Sequence, residues 1–310
     1  MRILVNDIQP QFKTIDGLKI RFAESGAGNQ DAILLSPWPE SIYAFAQTWA
    51  QLAEHAHLVA VDPPGFGQSE RRAALMNPKA MGDFIVRIAD AFGLENPHIV
   101  GPDIGTSSAL FAAAQPGRFR SLVVGSGGAA VPIDVTGVLK EWVEAPDLEP
   151  YREMGGRAIV EVALSTIVGY TPSAEIREDY LSSYEGDRFA DTIPYAQSYR
   201  EQLPMLAELL PAIQTPVRIV AGSNDDVVPP VNAKFLAATQ PGRLHPGRRA
   251  LLLGGKTERL RGSGHAVVDR RCRLGLTVAS PALFTSDAQP TSATTSKEHM
   301  PCQTSRSSPM

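Results

Sequence analysis

A chain of 310 residues with 43% hydrophobic and 20% charged side chains has room for a large buried core in one domain or two. Its net charge of −4 and isoelectric point near 5.9 count against nucleic acid or an anionic membrane as a partner. No run approaches the ~20 apolar residues of a membrane span, and polar residues enter the N-terminus too early for a signal peptide. Both cysteines, Cys272 and Cys302, stand near the C-terminal end, which excludes a disulfide framework and predicts a cytoplasmic protein.

Thr14 to Phe22 reads as two short strands around the Asp16-Gly17 turn. Asp31 to Leu35 is a short apolar run, predicted as a buried strand that ends in the loop Ser36-Pro37-Trp38-Pro39. Helical spacing follows from Ala44 to Glu54, then an apolar strand from His57 to Val61 that stops at Asp62-Pro63-Pro64-Gly65-Phe66-Gly67. A helix over 80–93, a strand from His98 to Gly101, a helix from Ser107 to Gln115 and a strand from Ser121 to Gly125 continue the alternation. Strands that read as unbroken apolar runs between amphipathic helices predict an α/β fold, with a mostly parallel sheet and helices on both faces.

Residues 131–205 break the pattern: they are rich in Glu, Tyr and Pro and give helical periods without a strong strand. A buried strand returns from Thr215 to Gly222. A helical insertion there is expected to form a lid over the carboxyl edge of the sheet, where open α/β sheets bind ligands; helices packed on the flank are the alternative. The predicted organisation is therefore core over 1–130, lid over 131–205 and core again over 206–245. Residues 246–310, dense in Arg, Ser, Thr and Pro, have no period beyond Leu251-Leu252-Leu253 and read first as a disordered tail.

The segment Gly101-Pro102-Asp103-Ile104-Gly105 joins a predicted strand to a predicted helix. A nucleophile on so sharp a turn needs small residues two places to either side, and Gly101 and Gly105 supply them. The plain alternative makes Asp103 a helix N-cap. Two further loops bear on the choice. Ser36 to Ser41 follows the early strand, and Gly222-Ser223-Asn224-Asp225-Asp226 follows the late one, with an acid three residues past the glycine.

On these residues the chain resembles the α/β-hydrolase superfamily, through Leu34 to Arg71, Val100 to Pro132 and Pro216 to Phe235, covering most of 10–245. With aspartate at the elbow, the resemblance is to the epoxide hydrolases and the haloalkane or haloacetate dehalogenases. It implies Asp103 as a nucleophile that attacks a saturated carbon and becomes an ester. The backbone N–H groups of Trp38 and Ile104 then form an oxyanion hole for hydrolysis of that ester. Asp225 orients the histidine that activates water, while Asp226 is solvated. No cofactor or metal is implied, and the substrate is a small apolar or amphipathic molecule. An aspartate is ionised at pH 7 and needs no base to activate it. Ser107 and Ser108 fall on the following helix, unsuited to replace it.

The departures from the family pattern bear on substrate. The family's His-Gly before the oxyanion residue is Ser36-Pro37, and Ile104 stands where haloalkane dehalogenases carry a halide-holding Trp and haloacetate enzymes an Arg. Epoxide hydrolases donate protons from two lid tyrosines; the lid region offers Tyr151, Tyr170, Tyr180, Tyr184, Tyr195 and Tyr199 without singling out a pair. Epoxide opening is thus the leading chemistry. A non-catalytic homologue that binds a small ligand under the lid, with Asp103 as cap or polar anchor, is the alternative.

The family's order of nucleophile, acid, histidine places the histidine roughly 25 to 30 residues past Asp225, where the chain reads Arg-Arg-Ala-Leu-Leu-Leu-Gly over 248–254. His55, His57, His98 and His299 are expected at the surface, and His265 follows a polar stretch rather than a strand. Permitted codons for Gly247 to Leu251 can spell Asp-Ala-Gly-His-Phe in another frame, resembling the family's histidine segment at the expected spacing. Residues 246–310 are accordingly expected to be an out-of-frame tail. Its consequence is that Asp103 can still be alkylated while hydrolysis of the ester is blocked.

Overall fold

Two left-handed residues, Asp16 (φ 49°) and Gly17 (φ 76°), turn the chain between β1 (Gln11–Ile15) and β2 (Leu18–Ser25), which pair antiparallel. Such a turn carries the twist that a two-residue hairpin needs. The computed structural model describes residues 8–26, 28–165, 167 and 170–239, together with the backbone of Leu251–Leu253.

Beyond the hairpin the chain alternates: β3 (Asp31–Leu35), α1 (Trp49–Ala53), β4 (His57–Val61), α2 (Pro78–Ala91), β5 (His98–Pro102), α3 (Ile104–Ala113) and β6 (Ser121–Gly125). Six α-helices then intervene: α4 (Gly137–Glu144), α5 (Glu149–Met154), α6 (Gly156–Ser165), α7 (Ala174–Ser183), α8 (Ile193–Gln197) and α9 (Tyr199–Leu209). The sheet resumes with β7 (Val217–Gly222), followed by α10 (Val231–Thr239) and β8 (Leu251–Leu253).

The strand order is β1-β2-β4-β3-β5-β6-β7-β8. Among the described strands, only β2 runs against its neighbours; every pairing from β4 to β8 is parallel. Strands β3 to β6 are buried almost end to end, the burial that unbroken apolar runs require in a sheet covered on both sides. Helix α3 packs on β5 and β6, α2 on α3, α1 on β4 and α10 on β7. The Asn77 side chain caps α2 by accepting from the Ala80 N–H, and Pro78 fills the first turn, where it forfeits no helical bond. A Cβ at Gly82 would stand 2.7 Å from Phe111 Cβ, so α2 and α3 cross in near backbone contact.

Local differences from the sequence reading have physical causes. The span from Ala44 to Glu54 is a 3-10 turn (Ile42–Phe45) and a short α1 rather than one helix. The Thr48 hydroxyl bonds the Phe45 carbonyl at the break, competing with helix continuation. Helix α3 starts at Ile104, directly after the elbow, rather than at Ser107. His98 is not a surface residue: it is 7% exposed, with Nδ1 paired to the Ser121 hydroxyl and Nε2 to Gln30 Oε1. His265, His299 and the stretch 246–310, apart from the backbone of Leu251–Leu253, lie outside the described residues. Among the described residues, no helix is long and apolar enough to cross a membrane.

Candidate active site

The carboxyl end of β5 delivers Asp103 into a conformation that L-residues rarely adopt, with φ 51° and ψ −123°. The turn closes through the Asp103 N–H, which donates to Gly125 O at 3.0 Å, and the Thr106 N–H, which donates to Asp103 O at 2.9 Å. Of the flanking glycines, Gly101 leaves no room for a side chain and Gly105 only a tight fit. A Cβ on Gly101 would meet Gly105 O at 2.6 Å, and one on Gly105 would meet Leu35 Cβ at 3.3 Å. Glycine spacing in the sequence is thus the trace of a helix that starts almost on top of its strand.

Asp103 precedes α3, but its side chain makes no capping bond to the helix. Instead the Trp38 N–H donates to Asp103 Oδ2 at 2.6 Å, and the adjacent Ile104 N–H also favours the charged carboxylate. Residues 65 positions apart are brought together because β3 and β5 are parallel neighbours, so the loops leaving both strands share one edge of the sheet. Burial pushes the Asp103 carboxyl up to about 7, against the two N–H donors and with the negative charge of Asp225 adding to the rise. This corrects the expectation of an aspartate ionised at no cost: burial favours its protonated form.

The side chain of Asp225, in the loop after β7, turns back on its own loop, accepting from the Val227 and Val228 N–H groups at 3.0 and 2.8 Å. Asp226 is exposed. Asn232, buried at the start of α10, stitches this loop to the segment leaving β6. Its Oδ1 accepts from the Ala129 and Ala130 N–H groups, both at 2.9 Å, and its Nδ2 donates to Asp134 O at 2.8 Å and Pro229 O at 3.2 Å.

Aromatic rings from both the core and the helices between β6 and β7 gather above Trp38. Its indole stacks on Phe189 at 5.0 Å, tilts against Trp142 at 5.0 Å and meets Phe66 edge-on at 6.4 Å. Tyr195 lies 5.4 Å from Phe66 and 5.7 Å from Tyr199. The six tyrosines of this region thus divide. Tyr195 donates to Ile104 O at 2.8 Å, Tyr184 donates to Glu40 O at 3.2 Å, Tyr180 and Tyr199 are buried, and Tyr151 and Tyr170 are partly exposed. The Asp103 charge contributes to raising the hydroxyl pKa of Tyr184, Tyr195 and Tyr199, after the larger effect of burial.

Sequence reasoning missed the charged side of the site. Arg21 is 3% exposed and grips Asp179 of α7 with both guanidinium nitrogens, at 3.0 and 2.6 Å. Asp62, fully buried, stands 3.6 Å from Arg21 and accepts from the Ile42 and Gln68 N–H groups; burial pushes it up to about 6. The signal was an arginine in a strand whose neighbours are all buried, a position that demands a partner. Ser107 and Ser108 are buried on α3, and among the described residues no cluster of His, Cys, Asp or Glu is placed to hold a metal.

A single reversed strand near one edge of a parallel sheet, with a strained turn after the central strand, defines the α/β-hydrolase fold. The chain matches, over residues 33–164, a family profile described as alpha/beta hydrolase fold. Among curated proteins, it is 31% identical over 115 residues to the acetyltransferase component of an acetoin cleaving system from Cupriavidus necator. That match takes in 37% of this chain and only 31% of the relative, so it spans about a third of that protein's length. It is 23% identical over 227 residues to a 2-hydroxy-6-oxononadienedioate/2-hydroxy-6-oxononatrienedioate hydrolase from Paraburkholderia phymatum, covering 68% of this chain and 76% of the relative. Among solved structures, an epoxide hydrolase from Vigna radiata superposes with a TM-score of 0.65 at 18% identity, covering 82% of this chain and 92% of the other; at that identity the likeness is one of fold.

Proposed function

We propose that the protein is a hydrolase whose nucleophile is Asp103, acting on an epoxide or halogenated carbon through a covalent alkyl ester. The observation that carries the reading is a carboxylate, rather than a hydroxyl, at a strained elbow between the Trp38 and Ile104 N–H groups. One carboxylate oxygen forms a bond to the saturated carbon. The carbon–halogen bond breaks to release halide, or the ring C–O bond breaks to give an alkoxide that takes up a proton. In the complete reaction water gives a proton to the triad histidine as its oxygen bonds the ester carbonyl carbon, and the two N–H groups hold the oxyanion. Collapse breaks the ester C–O bond, the histidine returns the proton to the leaving alkoxide to give an alcohol, and the carboxylic acid ionises back to the carboxylate.

The helices between β6 and β7 act as the lid, on the strength of the rings they contribute around Trp38. Tyr195 and Tyr199 are our candidates for protonating an epoxide oxygen, since both rings meet on the elbow side of the lid. Asp225 serves the water-activating histidine, and that histidine belongs to the frame displaced near residue 246; this chain is therefore expected to stop at the ester.

Intact-mass spectrometry after incubation with an aryl epoxide or a primary alkyl bromide tests the reading. The expected result is one adduct of the reagent's mass, mapped to Asp103 and absent from Asp103→Asn. An adduct formed equally well by that variant would overturn the nucleophile. Rapid multiple turnover would instead refute the lost second step.

A further inference from the structure

We propose that Asp179, on helix α7, is a positioning residue for the oxyanion loop. Through Ser41 it holds the Trp38 N–H on the Asp103 carboxylate, so that the donor pair is complete only when α7 is seated on the core. The functional half of this inference rests on the oxyanion reading above; the positional half rests on the contacts alone.

The loop from Ser36 to Ile42 leaves β3 and must present one N–H to a carboxylate on another strand's loop. It is pinned at its start by the Ser36 N–H on Val61 O at 3.0 Å and at its end by the Ile42 N–H on Asp62 Oδ1 at 2.8 Å. Both partners belong to the core. Between them two hydrogen-bond anchors come from α7 and its C-terminal cap, beside the ring contacts of Trp38 with Phe189 and Trp142. The Ser41 hydroxyl donates to Asp179 Oδ1 at 2.6 Å, and the Tyr184 hydroxyl donates to Glu40 O at 3.2 Å while accepting from the Gly67 N–H at 3.0 Å.

Asp179 is itself fixed. It receives both Arg21 nitrogens and, at 3.2 Å, the Gln68 side-chain amide. A buried ion pair is a poor source of stability, because desolvation cancels much of the attraction, but a bidentate pair does fix position and orientation. Were this pair only a staple for α7, the carboxylate had no need of Ser41. Its Oδ1 is instead shared between Arg21 and the loop that carries Trp38. Lid and oxyanion donor are thus joined by one carboxylate oxygen.

The test reads the N–H directly in the full-length protein. Labelling with 15N-tryptophan gives three backbone amide signals, one for each tryptophan, and Trp38→Phe assigns one of them. That signal is expected downfield, moving with pH as Asp103 titrates and ceasing to move in Asp103→Asn. In Ser41→Ala and Asp179→Ala it is expected to lose most of its downfield shift and its pH response. Gln68→Ala, which removes a contact to Asp179 but none to the loop, should leave it in place. A Trp38 signal unchanged in Ser41→Ala overturns the inference. Should Asp179→Ala fail to fold, Ser41→Ala still decides, since it removes one hydroxyl. If Asp103 is alkylated but the signal ignores Ser41, this inference alone falls. If the signal responds but no adduct forms, the proposed function falls and the coupling stands.

Discussion

Replacing Asp103 with Asn should stabilise the protein, and by an amount that grows with pH. Burial lifts the carboxyl from 3.8 to about 7, so between those values the folded state keeps a proton that the unfolded chain has released. Stability then falls as pH rises through that window and is flat below and above it. Each unit is 1.36 kcal/mol, so the full cost above pH ~7 is about 4 kcal/mol. Asn carries a neutral amide of nearly the same shape and escapes this cost. Asp62, pushed up to about 6, shifts stability in the same direction, but it is present in both proteins and cancels in the difference. Urea unfolding of the two proteins at several pH values from about 4 to about 8 gives that difference directly. It should be near zero at the acid end and favour the variant by several kcal/mol at the alkaline end. A gap that stays constant with pH would refute the claim that this carboxyl is buried at such cost.

The rate of Asp103 alkylation should rise about tenfold per pH unit below pH ~7 and level off above it, because only the carboxylate attacks; a flat profile by mass spectrometry would exclude a nucleophile with the raised pKa. Gly101→Ala forces a Cβ to within 2.6 Å of Gly105 O and should destabilise by about 1–3 kcal/mol in urea melts, with loss of the adduct. Tyr195→Phe removes the bond to Ile104 O and should cost about 1 kcal/mol. Burial lowers the His98 pKa from 6.5 to about 4, so His98 itself contributes a loss of stability as pH drops through that range, against the opposite slope from Asp103 and Asp62. The stability of His98→Gln relative to the wild type should therefore increase as pH drops from about 6.5 to about 4, as read in the same melts.

Local grammar explains what was legible beforehand. The Asp16-Gly17 hairpin, the buried parallel strands and the glycine frame around Asp103 each follow from spacings of a few residues, and each stands where its residues put it. What was hidden depends on distant pairs. Nothing near Arg21 points to a carboxylate 158 positions on, and nothing near Asn232 points to amides 102 and 103 positions back. His98 looked peripheral because it opens a strand; its burial comes from Ser121 and Gln30, which the sheet order alone brings beside it. The ionisation of Asp103 was misjudged for the same reason, since the residue type fixes the charge it can carry and only the surroundings fix the cost of carrying it.

Asn232 has a consequence for how such proteins diversify. One amide side chain holds the root of the long insertion and the base of the acid loop in a single knot of four bonds. A recombinant that exchanges everything between β6 and β7 for the equivalent stretch of a relative leaves this asparagine behind, in α10. The incoming segment must then offer two amides and a carbonyl at the same places, or a buried donor and acceptor go unmet. Compatibility of swapped insertions should therefore track the residue at this position more closely than similarity within the exchanged segment.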